Sequence, residues 1–263
     1  MDTVATSYVA HRNGRPATAD ELAPLAFAGY AHFTAMQVRG GRVRGLDLHL
    51  DRLRSASKEL FGRTLPDDRV RSWLRAALEP GPSDLSLTAT VYESAGDDLD
   101  VLVRTRPAAS APAGPLALAA VEHERLLPGV KHVGEAAKTY FRRQAEARGF
   151  DDAAFLDRHG RLCEATIWNL AFWDGAAVVW PVAGMLTGTT MAIVRRRLDG
   201  LGVPQHAREI TIADLPSLAG AAVMNSWTPG VAVHRIGSVP LPESPSFLAT
   251  LHRAYEAEPP TAP

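Results

Sequence analysis

The sequence predicts an α+β protein that is built from two domains. Two helix patterns follow each other between residues 48 and 78, and the strand patterns around them are joined by short turns, as in antiparallel sheets. The segment 107–115, PAASAPAGP, has the composition of a linker. With 263 residues the chain is long enough for two modest domains. We therefore expect a first domain over 1–106 and a second over 116–263.

The first domain is expected to open with a strand over 4–10 and a hairpin turn at Asn13–Gly14. Residues 16–24 contain two prolines and predict irregular backbone. Asp47 is a candidate cap for the helix that follows it. The other predicted elements are, in chain order, a strand over 32–38, a turn at Gly40–Gly41, helices over 48–62 and after Pro66, and strands over 85–93 and 100–106 joined by a turn at Gly96–Asp97.

The second domain is predicted to mix strands with three helices. A helix over 135–148 is expected to end at Gly149, because glycine readily adopts the left-handed conformation that ends many helices. The remaining predicted elements are strands over 116–122, 153–157 and 166–173, a hairpin turn at Asp174–Gly175, strands over 176–181 and 221–224, and helices over 189–199 and 245–257.

Composition and charge exclude several classes of protein. The formal net charge is −1 with interspersed signs, so the chain lacks the basic surface that binds nucleic acid. Its one cysteine, Cys163, excludes an intrachain disulfide and a metal site of two or four cysteines within one chain, and we expect no metal. No apolar run is long enough to span a membrane, and no signal-peptide pattern opens the chain. We expect a cytoplasmic protein without membrane or nucleic-acid partners.

Lys131 and Glu164 lie 33 residues apart, at opposite ends of one helix-and-strand unit. Lys131 follows Pro-Gly-Val, where partial desolvation lowers the pKa of a lysine and frees its amine for a Schiff base. Glu164 lies between apolar segments, where a carboxylate needs a partner such as a protonated pyridine nitrogen. Pyridoxal phosphate (PLP) chemistry needs this pair of groups. The alternatives are a solvated surface lysine, a water-facing edge glutamate, and Lys138 as the reactive amine.

Two segments and one helix face are candidate phosphate sites. Residues 186–190, LTGTT, open a helix, whose first amides and small hydroxyls suit a phosphate dianion. The segment 225–230, NSWTPG, offers further hydroxyls and amides. His49 and Arg52 share a helix face, where Arg52 could pair with phosphate through two hydrogen bonds. Taken singly, these features are also typical of a capped helix start, an ordinary turn and a solvated helix face.

Together these motifs resemble the fold-type IV (class IV) PLP enzymes, which include branched-chain aminotransferases, D-amino-acid transaminases and 4-amino-4-deoxychorismate lyases. The resemblance covers nearly the whole chain and is carried by five segments: GRVRGLDLHLDRL (41–53), GVKH (129–132), GRLCEATIWNL (160–170), LTGTT (186–190) and SWT (226–228). It implies a small α/β domain and a larger barrel-like β domain with helices. It also implies a homodimer whose active site lies between the domains.

The resemblance also implies a role for each matching residue. Lys131 is implied as the Schiff-base lysine and Glu164 as the partner of the ring nitrogen. Asn169 is a structural member of the same signature. The other residues implied in binding PLP are Arg52, Thr189, Thr190, Ser226 and Trp227.

Departures from the family pattern bear on the substrate. Met191 stands where the family usually has an arginine, and Ala136 stands where branched-chain enzymes have a tyrosine. Arg106, with Arg104 as a near alternative, matches a carboxylate-binding arginine of D-amino-acid transaminases. Thr34 is a candidate substrate contact in the small domain.

Three hypotheses for the function remain at this point. The first is an aminotransferase that moves an amino group between a small amino acid and a 2-keto acid. The second is a lyase that releases pyruvate from aminodeoxychorismate, since HFTAMQV (32–38) and GVKH (129–132) are closer to the lyases. The third is a catalytically idle homologue that only binds. Retention of both Lys131 and Glu164 argues against the third.

Overall fold

The computed structural model describes residues 8–27, 29–94 and 98–263, which form two compact units. The first unit comprises the described residues up to Ala109 together with Val130–Gly134 and Pro259–Pro263. The second comprises Ser110–Gly129 and Glu135–Glu258. Each unit combines helices with a β-sheet, which confirms the predicted α+β class.

The first unit is built on one antiparallel sheet and three helices. Its strands are β1 (Ala10–Arg12), β2 (Arg15–Pro16), β3 (Ala31–Arg39), β4 (Arg42–Arg44), β5 (Leu85–Glu93), β6 (Leu99–Pro107) and β16 (Pro260–Thr261). Its helices are α1 (Ala19–Phe27), α2 (Leu46–Phe61) and α3 (Asp67–Leu78). The seven strands lie in the order β16-β4-β3-β5-β6-β1-β2. The last strand of the chain therefore completes the sheet edge beside β4.

Helices α2 and α3 bury the apolar stripes that their helical period predicts. Leu50 and Leu53 of α2 and Leu74 of α3 share one core with Met36 and Val38 of β3. In β3 these two buried side chains are two residues apart, as the alternation of a strand requires. The packing of both helices on this sheet places α2, which carries His49 and Arg52, directly beside β3.

Two local predictions in this unit are wrong. Residues predicted as irregular form α1, because Thr18 and Glu21 make a capping box that the prolines concealed. The Glu21 carboxylate accepts a hydrogen bond from Thr18 N at 2.9 Å, and the Thr18 hydroxyl accepts one from Glu21 N at 3.4 Å. Helix α2 begins at Leu46 after a left-handed Gly45, so Asp47 is not its cap. Asp47 instead lies in the first turn, where its charge favours the helix dipole.

The predicted turn at Asn13–Gly14 is confirmed between β1 and β2, and both residues have positive φ angles of 48° and 83°. Most of the predicted strand over 4–10 lies outside the described residues. The predicted turn at Gly96–Asp97 also lies outside them, although the β5 and β6 strands that it would join pair along their whole length.

The second unit is built around a closed barrel. Its strands are β7 (Leu116–Glu122), β8 (Asp152–Leu156), β9 (Leu162–Ala165), β10 (Asn169–Trp173), β11 (Val178–Pro181), β12 (Gln205–Arg208), β13 (Gly220–Asn225), β14 (Thr228–Ile236) and β15 (Val239–Pro240). Its helices are α4 (Ala136–Glu146), α5 (Thr189–Leu198) and α6 (Pro245–Glu256), with single 3₁₀ segments at Asp199–Leu201 and Ile212–Ser217. Six strands form a ring in the order β10-β13-β14-β7-β8-β9, because β9 pairs back onto β10.

The barrel strands are buried on both faces. Leu170 and Phe172 of β10 belong to one core with Leu118 of β7 and Leu162 of β9. Ala171, between them, belongs to a second core that includes buried side chains of α5 and α6. Burial on both faces explains why β10 has a continuous apolar sequence rather than an alternating one.

The described residues contain no helix that is long and apolar enough to cross a membrane. Within the same residues, no group of three or more His, Cys, Asp or Glu side chains is placed to hold a metal ion. Cys163 is buried in β9, and burial raises the pKa of its thiol to about 12. Its thiol therefore stays protonated at neutral pH and is a poor nucleophile.

We predict that the first unit makes the protein sensitive to mild acid. Burial lowers the pKa of His32 to about 4; burial, aided by the charge of Arg52, lowers that of His49 to about 3. The unfolded chain therefore takes up protons first as the pH falls below 6.5, so stability is complete above that pH and is lost towards pH 3–4. Each histidine should lower the unfolding free energy by about 1 kcal/mol between pH 6.5 and 5.5.

Urea unfolding at these two pH values checks this expectation. His49→Gln should flatten the pH dependence by about 1 kcal/mol, whereas His159→Gln, which changes an exposed histidine, should leave it unchanged. If the unfolding free energy of His49→Gln depends on pH as steeply as that of the unchanged protein, the lowered pKa of His49 is contradicted.

Candidate active site

Glu164 is a buried carboxylate on the strand that closes the barrel. It lies in β9, is 4% exposed, and stands directly opposite Asn169 of β10. Its Oε1 accepts a hydrogen bond from Arg125 Nη1 at 3.0 Å. A buried carboxylate requires such a cationic partner, and it has the charge that a protonated pyridine nitrogen needs.

Asn169 joins this strand pair to the loop before α5. Its Nδ2 donates to Leu186 O at 2.6 Å, and its Oδ1 accepts from Gly188 N at 2.9 Å. A Cβ atom on Gly188 would lie 2.0 Å from Asn169 Oδ1, so only glycine allows this approach. The glycine of the LTGTT segment is therefore required by its contact with Asn169, and the two hydrogen bonds place the start of α5 on the barrel.

The first turn of α5 has the features of an anion site. Thr189 and Thr190 are its first two residues, and their amides are among the four that a helix leaves without internal acceptors. The Thr189 hydroxyl is buried and has no hydrogen-bond partner among the described residues. The turn contains no acidic residue, and the last turn is basic. Free amides, an unused buried hydroxyl and the helix dipole together fit a phosphate dianion.

A second turn lies against this helix start. Thr190 Oγ1 donates to Asn225 O at 2.8 Å, at the end of β13. Asn225 Oδ1 in turn accepts from Trp227 N at 2.8 Å, which holds the β13–β14 turn that carries half-buried Ser226. The Trp227 ring is 38% exposed and packs edge-on against Trp168, with the centroids 5.9 Å apart. The structure thus brings Thr189, Thr190 and the Ser226 turn together in one unit.

Lys131 lies in the first unit, on a short segment that pairs with β3. Its carbonyl accepts from Phe33 N at 2.8 Å, and His132 forms a bridge with His32. The side chain is half-buried, and its Nζ lies 4.9 Å from the centre of the Phe33 ring. Backbone pairing at Lys131 and at the two residues that follow it therefore fixes where the side chain begins.

Lys138, the competing lysine, is committed to an ion pair. Its Nζ lies 2.7 Å from Oε2 of Glu135, the residue that immediately precedes α4, and both side chains are largely buried. Lys131 as the reactive amine, with Lys138 as the alternative, stays a prediction.

The remaining predicted residues lie in the first unit. Thr34 is fully buried, and its hydroxyl is 2.6 Å from His49 Nδ1. Arg52 is half-buried on the same helix as His49. Arg104 and Arg106 are exposed on one face of β6, since they are two residues apart on the strand. Thr34 therefore has a hydrogen-bond partner inside its own unit, whereas Arg106 has an exposed side chain there.

Sequence reasoning missed Asp152 and Arg125. Asp152 is buried in β8 and accepts hydrogen bonds from Thr166 Oγ1 at 2.6 Å and Trp168 Nε1 at 2.9 Å. Burial raises the pKa of this carboxyl above its ordinary value. Thr166 and Trp168 form the turn between Glu164 and Asn169, so Asp152 holds that turn. These contacts join residues that are far apart in sequence, and an aspartate or an arginine alone does not reveal them.

The chain is similar to one family of known proteins and to several solved structures. Residues 31–236 match the family model described as amino-transferase class IV. A hypothetical aminotransferase from Mycobacterium tuberculosis, in a PLP-bound form, superposes with a TM-score of 0.77 at 20% identity, covering 91% of this chain and 92% of that one. No curated protein sequence matches.

Two further structures represent different activities. A branched-chain aminotransferase from Thermoproteus uzoniensis, solved with norvaline, has a TM-score of 0.80 at 19% identity over 95% of this chain and 94% of that one. A 4-amino-4-deoxychorismate lyase from Pseudomonas aeruginosa has a TM-score of 0.75 at 22% identity over 92% of this chain and 97% of that one. At these identities the likeness shows the fold, and it confirms the barrel-like second domain.

We predict that Asp152 stabilises the turn that carries the site. Asp152→Ala leaves the Thr166 hydroxyl and the Trp168 indole N–H buried without an acceptor, and should lower the unfolding free energy by about 2–4 kcal/mol. Asp152→Asn keeps one acceptor oxygen and should lose less. Urea unfolding measures both, with Asp68→Ala as a control at an exposed carboxylate. A loss in Asp152→Ala no larger than in the control would show that the two hydrogen bonds do not hold the turn.

Proposed function

We propose, from the premise that this chain belongs to the amino-transferase class IV family, that it is a PLP-dependent aminotransferase that moves an amino group between a small amino acid and a 2-keto acid. One observation carries the proposal. Asn169 pairs on the neighbouring strand with Glu164, whose carboxylate is buried. Its side chain bonds the loop before α5, and the Thr189 hydroxyl at the start of that helix is buried and unused. The barrel thereby fixes both an anion site and a carboxylate that can pair with a ring nitrogen.

The protein groups have separable roles in this proposal. Bound PLP supplies an aldehyde that condenses with amines and a ring that accepts the electron pair released at the substrate's Cα. Glu164 would hold the proton on the ring nitrogen. Lys131 would hold the cofactor at its aldehyde carbon, and its amine would move the proton at the substrate's Cα.

We assign the phosphate to hydrogen-bond donors and to one cationic side chain. Thr189 and Thr190 donate their amides and Thr189 its unused hydroxyl, while Ser226 and Arg52 add further donors. Trp227, on the same turn as Ser226, is proposed as a further contact of the cofactor. Arg106 is the proposed partner of the substrate carboxylate, because its guanidinium is exposed in its own unit whereas the Thr34 hydroxyl is bonded to His49.

An aminodeoxychorismate lyase that releases pyruvate is the second candidate. One structural observation favours it. The two lyase-like segments, HFTAMQV and GVKH, lie side by side, because Phe33 N donates to Lys131 O and His132 bridges His32. Both candidates use the same lysine and carboxylate and differ in whether a second carbonyl substrate is needed. We also propose a homodimer, as the family resemblance implies, which light scattering of the purified protein tests. We further propose a cytoplasmic location, which cell fractionation tests.

We predict that amino transfer requires both an amino donor and a keto acid. A panel of small L- and D-amino acids with 2-keto acids, assayed with PLP, should yield new amino acids in at least one pairing. Lys131→Ala should lower the rate about a thousandfold, whereas Lys58→Ala, at an exposed lysine of α2, should not change it. Pyruvate release from aminodeoxychorismate without any keto acid would replace this proposal with the lyase. A protein that binds no PLP would favour the idle homologue.

We predict a second effect at the start of α5. Thr189→Val removes the unused hydroxyl and should weaken PLP binding about tenfold or more, since a hydrogen bond to a charged group contributes about 1.5–3 kcal/mol. Equilibrium titration of the apoprotein with PLP measures the dissociation constant. The control is Thr250→Val, which changes a half-buried threonine on α6 that makes one hydrogen bond, to Ser246 O. Unchanged affinity in Thr189→Val would remove this helix start from the phosphate site.

A further inference from the structure

Four charged side chains of the second unit form a row of ion pairs that starts at Glu164. Arg125 donates from Nη1 to Glu164 Oε1 at 3.0 Å and from Nε to Glu135. Glu135 Oε2 lies 2.7 Å from Lys138 Nζ. The exposed fraction of these side chains is 2% for Arg125, 5% for Glu164, 14% for Glu135 and 13% for Lys138. The signs alternate from one side chain to the next, so each cation lies beside an anion.

The backbone holds both ends of this row of ion pairs in place. Glu164 is fixed by its strand pairing, and Arg125 Nη1 also donates to Pro128 O at 3.2 Å. Glu135 immediately precedes α4, and Lys138 follows at i+3 on the same helix face. Burial raises the pKa of Glu135, but Lys138 and Arg125 outweigh burial and lower it overall. Glu135 is therefore an anion at neutral pH.

We propose that Glu135 is a positioning residue that acts through Arg125 and sets the charge that Glu164 presents to the ring nitrogen of PLP. This inference rests on the proposed function, in which Glu164 is the partner of that nitrogen. Glu135 compensates the charge of Arg125, so that Arg125 orients Glu164 without cancelling its attraction for the pyridinium.

The direction of the effect follows from electrostatics at short range. Glu135→Gln keeps a side-chain oxygen that can accept from Arg125, but it removes one negative charge. The negative charge beside Arg125 and Lys138 is then lost, and the potential around Glu164 becomes more positive. In a buried setting such a change is weakly screened, so the protonated ring nitrogen loses stabilisation. PLP should bind more weakly even though the fold and Glu164 are intact.

The test is a double-mutant cycle on PLP affinity, with the apoprotein titrated with PLP. Glu135→Gln should raise the dissociation constant at least about fivefold, the lower end of typical coupling between two sites. In a Glu164→Gln background the same change should alter it less than about twofold. The control is Glu146→Gln, which removes a carboxylate from an exposed ion pair with Arg142 on the same helix and should have no effect.

Each outcome of the cycle has one meaning. An effect of Glu135→Gln that is equal in both backgrounds, or absent in both, overturns the inference, because a general structural role does not depend on Glu164. Thermal unfolding of each apoprotein shows whether it is folded, and Glu135→Asp, which keeps the charge, should recover most of the affinity and replaces Glu135→Gln if that variant does not fold. A wild-type protein that binds no PLP overturns the proposed function and this inference together, whereas normal wild-type binding with an uncoupled Glu135 overturns the inference alone.

Discussion

The pairing of β9 with β10 is the interaction on which the candidate site depends. It closes the six-stranded barrel, and it consists of Glu164 opposite Asn169. The Glu164 carboxylate accepts a hydrogen bond from Arg125, and the Asn169 side-chain amide donates one to the loop before α5. A one-residue slip in register would reverse the direction of both side chains, because neighbours on a strand point to opposite faces. Asp152 resists such a slip by holding the intervening turn through Thr166 and Trp168.

Electrostatic balance is the second organising constraint of this unit. Glu164 and Arg125 are almost fully buried, and an unpaired charge at such depth is strongly unfavourable. Glu135 and Lys138 extend the pair towards α4, where the side chains become slightly more exposed. The anion site at α5 has the opposite character, since its amides and the Thr189 hydroxyl have no acidic side chain in their turn. The unit thus combines the buried acidic group of Glu164 with a separate place that favours an added anion.

Sequence alone predicted most of the regular structure, because helix and strand periods are local properties. One exception was α1, where the prolines of 16–24 outweighed a Thr18–Glu21 capping box that was readable in the sequence. Strands β9, β12 and β14 were not predicted either. The choice of Lys131 and Glu164 followed from their chemistry and spacing and stays a prediction. The roles of Arg125 and Asp152 were beyond sequence reasoning, because they depend on burial and on partners up to 39 residues away. The need for Gly188 likewise became evident only from its distance to Asn169.

The most direct test of the central claim is to identify the lysine that carries PLP. The chain has three lysines, Lys58, Lys131 and Lys138. Borohydride reduction of the PLP-treated protein, followed by proteolysis and mass mapping, should place the phosphopyridoxyl group on the peptide that contains Lys131. Attachment at Lys138 would contradict the account, because it would require the Glu135 ion pair to be broken in the working protein. The absence of any adduct would contradict the cofactor assignment itself.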